Sequence, residues 1–427
     1  MKYTQNKKIA QLTKKTLIVG VDIASKVHYA RAFDYRGMEH GKVLRFSNDL
    51  YGFEALHCWV NKLCAEHGKS DVVVGMEPTG HYWFDLAWYA LEHSIRPVLV
   101  NPFHVKRCKE LDDNNPTKND RKDPKTIAML VKDGRYVIPY LPEGVYGELR
   151  VAMGSRGRVM KQLNGVKNQI RRWLSIYFPE FDLVFANWEG KAALLSLRKC
   201  PTPAMILELG IEGIIQHWKD AKLRTIGVKR ATKLYEAAKR SIGTRQGLRA
   251  ACEELSLLLA EYDLLKHQEQ QVMSMVEELL MEIPASQELL KIKGVGMVTV
   301  AGFLSEVGDI TRFTSPKQIQ KYAGLNLKEN SSGKHKGRTT ISKRGRRGLR
   351  ALLFKGVMPL VAKNDEFKRL HKYYTTRAEN PLTKMQSLVA LMCKLIRVFH
   401  AILAKNIAYD GEKMMRDIQR PALQLAA

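Results

Sequence analysis

Four carboxylates have the types and spacing that could do chemistry. Asp22 closes the apolar run Leu17, Ile18, Val19, Gly20, Val21, and Glu77 closes a second run over 72–76. Asp120 and Asp123 stand three apart in KNDRKDPKTIAML. Both apolar runs read as buried strands, and a charge at the end of a core strand is unfavourable unless something compensates it. A divalent cation held by several carboxylates is the natural compensation. Hard cations such as Mg²⁺ (or Mn²⁺) take oxygen ligands and keep waters for substrate phosphates. The chemistry open to such a site is the cutting or joining of nucleic acid strands. If the two strands pair, Asp22 and Glu77 lie side by side. Asp120 and Asp123, at i and i+3 on entering a helix, can aim both side chains at one point. Taken alone, Asp123 reads more readily as an N-cap than as a ligand, and Asp120 as a solvated loop residue.

A second feature is cationic. Beyond Glu329 no acidic residue occurs until Asp365, and the block between holds Lys334, Lys336, Arg338, Lys343, Arg344, Arg346, Arg347 and Arg350. Tyr322-Ala323-Gly324-Leu325 before it and Leu349, Leu352, Leu353 and Phe354 after it place the block inside a folded unit. Glycines 333, 337, 345 and 348 suggest close backbone approach to a ligand. Phosphate is the favoured ligand, with salt-dependent affinity as the consequence. The block also contains Ser331, Ser332, Thr339, Thr340 and Ser342. A catalytic serine needs a base or metal to activate it and cations to stabilise the developing charge. The block supplies cations but no base, so the acid quartet is the obvious partner. Upstream, Gly294 and Gly296 in IKGVG resemble the turn of a helix-hairpin-helix, which can offer backbone N–H groups to a phosphate. A plain helix–helix turn accounts for them equally well. His28, His81, His104 and His335 show no metal spacing and read as structural or polar contacts.

The whole chain agrees with a polyanionic partner. Its 427 residues carry 70 Lys+Arg against 43 Asp+Glu, a formal charge of +27, which favours nucleic acid or an anionic surface without specifying a fold. The length suits two or three cores. The apolar stretch 387–404 contains Lys394, Arg397 and His400 and so reads as an amphipathic core helix, not a membrane span. The lysine-rich start leads into an apolar run that is short and ends at Asp22, unlike a signal peptide. Six scattered cysteines without a CxxC pair fit reduced thiols. The expected location is the cytoplasm, with the nucleoid.

The elements that must position these residues alternate between strand and helix over 16–142. Strands are expected at 17–23, 28–34 (turning at Tyr35-Arg36-Gly37) and 42–47, forming a meander. A helix follows, capped by Ser47 or Asn48, with Leu50, Phe53, Leu56, Val60 and Leu63 on one face. Then come a strand at 72–76, a helix over 81–92 and a strand at 97–100. Past the polar stretch 112–122, a helix begins with Asp123 as N-cap and Pro124 in its first position. Three antiparallel strands followed by βαβ units is the order of an RNase H-like α/β domain. From 143 the chain turns helical. Val159, Leu163, Val166, Ile170, Trp173 and Tyr177 form a heptad seam. A second long helix over 246–281 carries Leu248, Cys252, Leu255, Leu259 and Tyr262, with a break near Lys266 and resumption at Met273, Val276 and Leu280. The two helices suit either an antiparallel pair in one chain or a dimerising coiled coil. The segment 179–245 has no assigned role. The expected layout is a basic tail (1–15), an α/β domain (16–142), a helical region (143–285), a C-terminal helical domain (286–410) and a tail (411–427).

VGVDIASK, GMEPTGHYW and NDRKDPKTIAML, with IKGVGMVTVAGFLSEVGDITRF, YAGLN, SSG and ISKRGRRGLR after them, resemble the DEDD-type insertion-sequence transposases of family one-ten. Relatives of that family include Piv-type DNA invertases and bridge-RNA-guided recombinases. The resemblance implies a RuvC-like N-terminal domain in which Asp22, Glu77, Asp120 and Asp123 bind Mg²⁺. It implies a C-terminal transposase domain whose serine nucleophile sits in an S-G motif, here Ser332 before Gly333, with Ser331 and Ser342 as the other candidates. The implied reaction is transesterification through a phosphoserine intermediate on double-stranded DNA, at element ends and target. A noncoding guide RNA and a homodimer or homotetramer are implied partners. Two other functions compete: a RuvC-like structure-selective endonuclease that uses the acids alone, and a non-catalytic nucleic-acid-binding protein.

Overall fold

The computed structural model describes residues 5–112, 123–223, 227–328, 331–332, 335–336 and 339–416; for 109–112, 331–332 and 335–336 only the backbone is described. The chain divides into two compact units, Met1–Glu143 and Gly144–Ala427.

The first unit is a mixed α/β sheet. After helix α1 (Gln5–Ala10), the strands β1 (Thr16–Asp22), β2 (Val27–Phe33) and β3 (Glu39–Ser47) form the meander. Next come α2 (Leu50–His67), β4 (Asp71–Met76), α3 (Trp83–Glu92), β5 (Arg96–Val100), α4 (Pro102–Asp112), α5 (Asp123–Lys132) and β6 (Tyr136–Val137). The sheet order is β3-β2-β1-β4-β5-β6, with β1, β4 and β5 parallel and the rest antiparallel. The first five strands match the expected RNase H-like order, and β6 adds an edge the sequence did not suggest. Alternation along the strands separates two faces. Leu17, Val19, Val21, Val74 and Met76 pack under α2 and α3, while Ile18, Val73, Val98 and Val100 pack under α4 and α5.

Three local expectations need correction. The cap of α2 is Asp49, whose carboxylate accepts the Gly52 N–H at 2.8 Å, not Ser47 or Asn48. Ser47 instead donates its hydroxyl to Asp49 at 2.6 Å. Leu50, at the start of the helix, is 61% exposed and does not join its buried face. Asp123 is itself the first residue of α5 rather than the cap before it.

The second unit is helical around two long elements, α6 (Gly144–Tyr177) and α11 (Leu248–Met281). Each spans 34 residues, roughly 50 Å at the α-helical rise. They pair antiparallel within the chain: Trp173 Nε1 donates to the Ala251 carbonyl at 2.7 Å, and Arg156 meets Glu269 at 3.1 Å. The seam residues Val159, Leu163, Val166, Ile170 and Trp173 are buried against Leu255, Leu259 and Tyr262 in one core. Leu265 is the last α11 residue buried in that core and burial resumes only at Val276 in the next, so the seam is interrupted where the sequence suggests, past Lys266. Between the long helices lie α7 (Phe181–Val184), α8 (Lys191–Lys199), α9 (Pro203–Asp220, kinked at Gly210) and α10 (Val228–Lys239). They cap one end of the pair, with Phe181, Trp188, Trp218 and Leu234 in the same core. The segment without an assigned role is therefore a packed helical cap.

The opposite end of the pair enters a second core with the C-terminal helices. These are α12 (Pro284–Leu290), α13 (Met297–Val307), α14 (Pro316–Tyr322), α15 (Arg347–Lys363), α16 (Asp365–Thr376), α17 (Lys384–Lys405) and α18 (Gly411–Arg416). Short strands β7 (Leu327–Lys328), β8 (Ser331–Ser332), β9 (His335–Lys336) and β10 (Thr340–Ile341) lie between α14 and α15. Helix α17 is long and apolar enough to cross a bilayer by composition. Here it lies in the core: Leu391, Leu395, Ile396 and Phe399 are fully covered, and buried Lys394 donates to the Met414 carbonyl at 2.9 Å.

Candidate functional site

Asp22 is the last residue of β1, and Glu77 follows the last residue of β4. The two strands are parallel and their ladder runs from Thr16–Asp71 to Val21–Met76. One further step sets Asp22 beside Glu77, both half-buried at the carboxyl end of the sheet. The same alternation that buries Ile18 and Val73 under α5 carries through Gly20 and Gly75 to these acids, so both belong to the α5 face.

Asp123 reaches that face because of two glycines that are paired in register. A Cβ on Gly20 would stand 1.9 Å from the Pro124 carbonyl oxygen and 2.8 Å from the Ala128 nitrogen. A Cβ on Gly75 would stand 2.5 Å from Val131 Cγ2 and 3.2 Å from Ile127 Cγ2. The bare glycine pair lets α5 settle directly on the sheet, and its first residue is Asp123. In the sequence Gly20 stands as one member of an apolar run. A glycine in the middle of a core strand is a signal for close approach, and two in register locate the helix that approaches.

Around Asp22 the backbone is shaped by His28. Its Nδ1 accepts the Ala24 N–H at 3.1 Å across the β1–β2 turn, and its ring stacks on Phe53 and meets Phe46 edge-on. Burial pushes its pKa down, partly offset by Asn48, so the imidazole is neutral. The expected structural role for this histidine agrees.

Three of the four acids thus come to one end and one face of the sheet, an oxygen-only donor set of the kind hard cations take. Asp120 lies outside the described residues. Among the described residues, no three His, Cys, Asp or Glu side chains are close enough to hold an ion together. The three described acids are oxygen donors of the kind Mg²⁺ takes, but they do not converge closely enough to hold one by themselves.

In the second unit, β8 and β9 pair antiparallel, with Ser332 opposite His335 and Ser331 opposite Lys336. Lys334 and Arg338 lie outside the described residues. Lys343, Arg344 and Arg347 are exposed. Two other arginines of the block are engaged with the protein's own groups. Arg346 Nε lies 3.2 Å from Glu306 and 2.9 Å from the Tyr322 hydroxyl. Arg350 donates to the carbonyls of Ala323 at 2.9 Å and Lys343 at 3.3 Å. Glu306, from α13, thus pairs with a block that has no acid of its own.

The glycines here approach protein rather than leaving room for a ligand. A Cβ on Gly345 would stand 2.4 Å from the Tyr322 carbonyl oxygen, and one on Gly348 the same distance from Glu306. Gly333 and Gly337 lie outside the described residues. Gly294 and Gly296 form the turn between α12 and α13: Gly294 has φ +95° and faces the backbone of Pro359 and Leu360, and Gly296 caps α13 and is exposed.

The mixed α/β sheet with its helical remainder fits a DEDD, RNase H-like domain, and a family model described as a DEDD transposase of the IS110 type matches residues 19–179. A second, described as transposase of the IS116/IS110/IS902 family, matches residues 286–374. The chain belongs to the IS110 family of transposases. It is 23% identical over 399 residues to the pilin gene-inverting protein of Moraxella lacunata, covering 92% of this chain and 97% of that one. To a Streptomyces coelicolor mini-circle protein named as a transposase for IS117 it is 27% identical over 329 residues, covering 72% and 76% of the two chains. The 43.6 kDa protein of insertion element IS110 from the same species is 22% identical over 399 residues, covering 92% and 96%.

Proposed function

We propose that this transposase recombines double-stranded DNA by transesterification, with Ser332 as nucleophile and Asp22, Glu77, Asp120 and Asp123 as ligands of Mg²⁺ (or Mn²⁺). The observation that carries the acid half is the pairing of Asp22 with Glu77 on the face where α5 delivers Asp123. The name of the Moraxella relative, a gene-inverting protein, supports exchange of strands rather than hydrolysis alone.

Ser332 Oγ attacks a phosphorus of the DNA backbone. A bond from that phosphorus to a deoxyribose oxygen breaks, the released oxygen takes up a proton, and the strand end stays on the serine. The hydroxyl of another strand then attacks the phosphoserine, loses its proton, and returns Oγ to the enzyme. A bound divalent cation would supply charge neutralisation at the phosphoryl oxygens and favour deprotonation of the attacking hydroxyl. The exposed cations Lys343, Arg344 and Arg347, with Lys334, Lys336 and Arg338 of the same block, hold phosphates; Arg346 and Arg350 keep the block in shape. The glycine turn at Gly294 and Gly296 is a further phosphate contact in this reading, through Gly296. A noncoding guide RNA and assembly as a homodimer or homotetramer belong to the same proposal, checked by RNA recovered with the purified protein and by its mass in solution.

The deciding experiment compares Ser332→Ala with Asp22→Ala on DNA carrying the element ends. The serine variant should lose strand exchange and every protein–DNA adduct that survives denaturation, and the aspartate variant should lose all metal-dependent cleavage. A serine variant that recombines at the wild-type rate overturns the nucleophile. Cleavage that persists in it without an adduct points to an endonuclease using the acids alone. Binding without cleavage in the wild-type protein points to a non-catalytic binder.

A further inference from the structure

The second unit contains a cleft of about 1510 Å³ walled by β7, β10, the start of α15 and the start of α17. Its volume exceeds the roughly 300–1,000 Å³ of small-molecule sites, and it suits an extended ligand. Five cations line it: Lys328, Lys343, Arg347, Arg350 and Arg397. No carboxylate occurs among its described lining residues. Its floor and lip are apolar, from Leu325, Phe354 and Val389 inward to Leu327 and Met385 at the opening. Leu327 is 71% exposed and Met385 58%.

Cations around an apolar floor match a ligand with phosphates on one side and flat apolar faces on the other. A duplex does not present such faces, because its bases are stacked and paired inside. An unpaired strand does, and proteins hold one by tracking its backbone with cations and stacking its bases on apolar and aromatic side chains. Ser332 is four residues beyond Lys328 in the cleft wall, so their Cα atoms lie within about 14 Å of each other whatever the path between.

We propose that this cleft holds the unpaired DNA end produced at Ser332, keeping it in place until exchange. The inference rests on the serine reading for the origin of the strand, while the binding surface stands on the cleft alone. The cleft orients the freed strand and retains it against diffusion.

The test is fluorescence anisotropy with the full chain in metal-free buffer, where no cleavage occurs. The probes are a short labelled oligodeoxynucleotide of mixed sequence, its duplex, and the RNA of the same sequence. Met385→Glu places an acid in the first turn of α17, where the helix dipole tolerates it, and Arg397→Gln removes an exposed cation. Each should weaken the unpaired DNA roughly tenfold, in the range of one lost base-stacking contact, with duplex affinity unchanged. Leu257→Glu, which adds the same charge at an exposed site on α11, should change neither. Unaltered binding of the unpaired strand, equal losses on the duplex, or tighter binding of the RNA would each overturn the proposal. Ser332→Ala should still bind the unpaired strand, so failure of the nucleophile and failure of the cleft give different results.

Discussion

Replacing Gly20 by alanine tests how the acidic site is built. The added methyl would lie 1.9 Å from the Pro124 carbonyl oxygen, against 3.4 Å or more for ordinary contact, so the first turn of α5 must lift by about 1.5 Å. The obstacle is backbone and cannot rotate away. Overpacking of this kind typically costs about 1–3 kcal/mol, and the upper end applies here. A loss of about 3 kcal/mol corresponds to a melting temperature lower by roughly 10 °C for a unit of this size. Asp123 moves with the turn, and a misplacement near 1 Å at a reacting centre costs on the order of a hundredfold in rate. Metal-dependent cleavage should therefore fall about a hundredfold at a temperature where the variant is still folded. Gly75→Ala is the internal comparison. Its methyl meets the ends of Val131 and Ile127, so Val131→Ala in the same chain should restore most of the stability and activity, whereas nothing comparable can rescue Gly20→Ala. A Gly20→Ala protein with wild-type melting and wild-type cleavage would refute the glycine-platform argument.

Two other outcomes are expected. Trp173→Phe removes the buried 2.7 Å hydrogen bond to Ala251 that ties α6 to α11 and should lower stability in urea by about 1–3 kcal/mol; a loss below about 0.5 kcal/mol, the scale of neutral surface changes, would mean the pair does not depend on it. His28 is held neutral by burial, with its pKa below 6.5, so the unfolded chain takes up a proton that the fold refuses as pH falls through 6.5. Its contribution to stability is then full above that pH and declines below it until the folded imidazole itself protonates. The urea midpoint of the first unit should drop over that window and drop less in His28→Gln; a midpoint that rises as pH falls would contradict the assignment.

The strands and their terminal acids were legible in the sequence because burial on both faces forces long apolar runs, and a carboxylate ending such a run stands out. The paired long helices were legible as seams for a related reason: a 3.5-residue period survives in local sequence. Their partner was not. An antiparallel pair and a dimer need the same apolar stripe, and only contacts such as Trp173 with Ala251 distinguish them. The basic block was legible as charge, but not the division of labour within it. Arg346 pairs with Glu306, forty residues away in sequence, and no local pattern announces that pairing. Nor could the sequence reveal why the acids share a face with Asp123. That depends on Gly20 and Gly75 standing side by side under α5, a relation between strands fifty-five residues apart. Sequence determined which residues carry charge and which stretches must be buried, since both are properties of residue type and period. Tertiary structure decided which of those charges meet, because the register of distant strands and helices is set by packing that no single segment encodes.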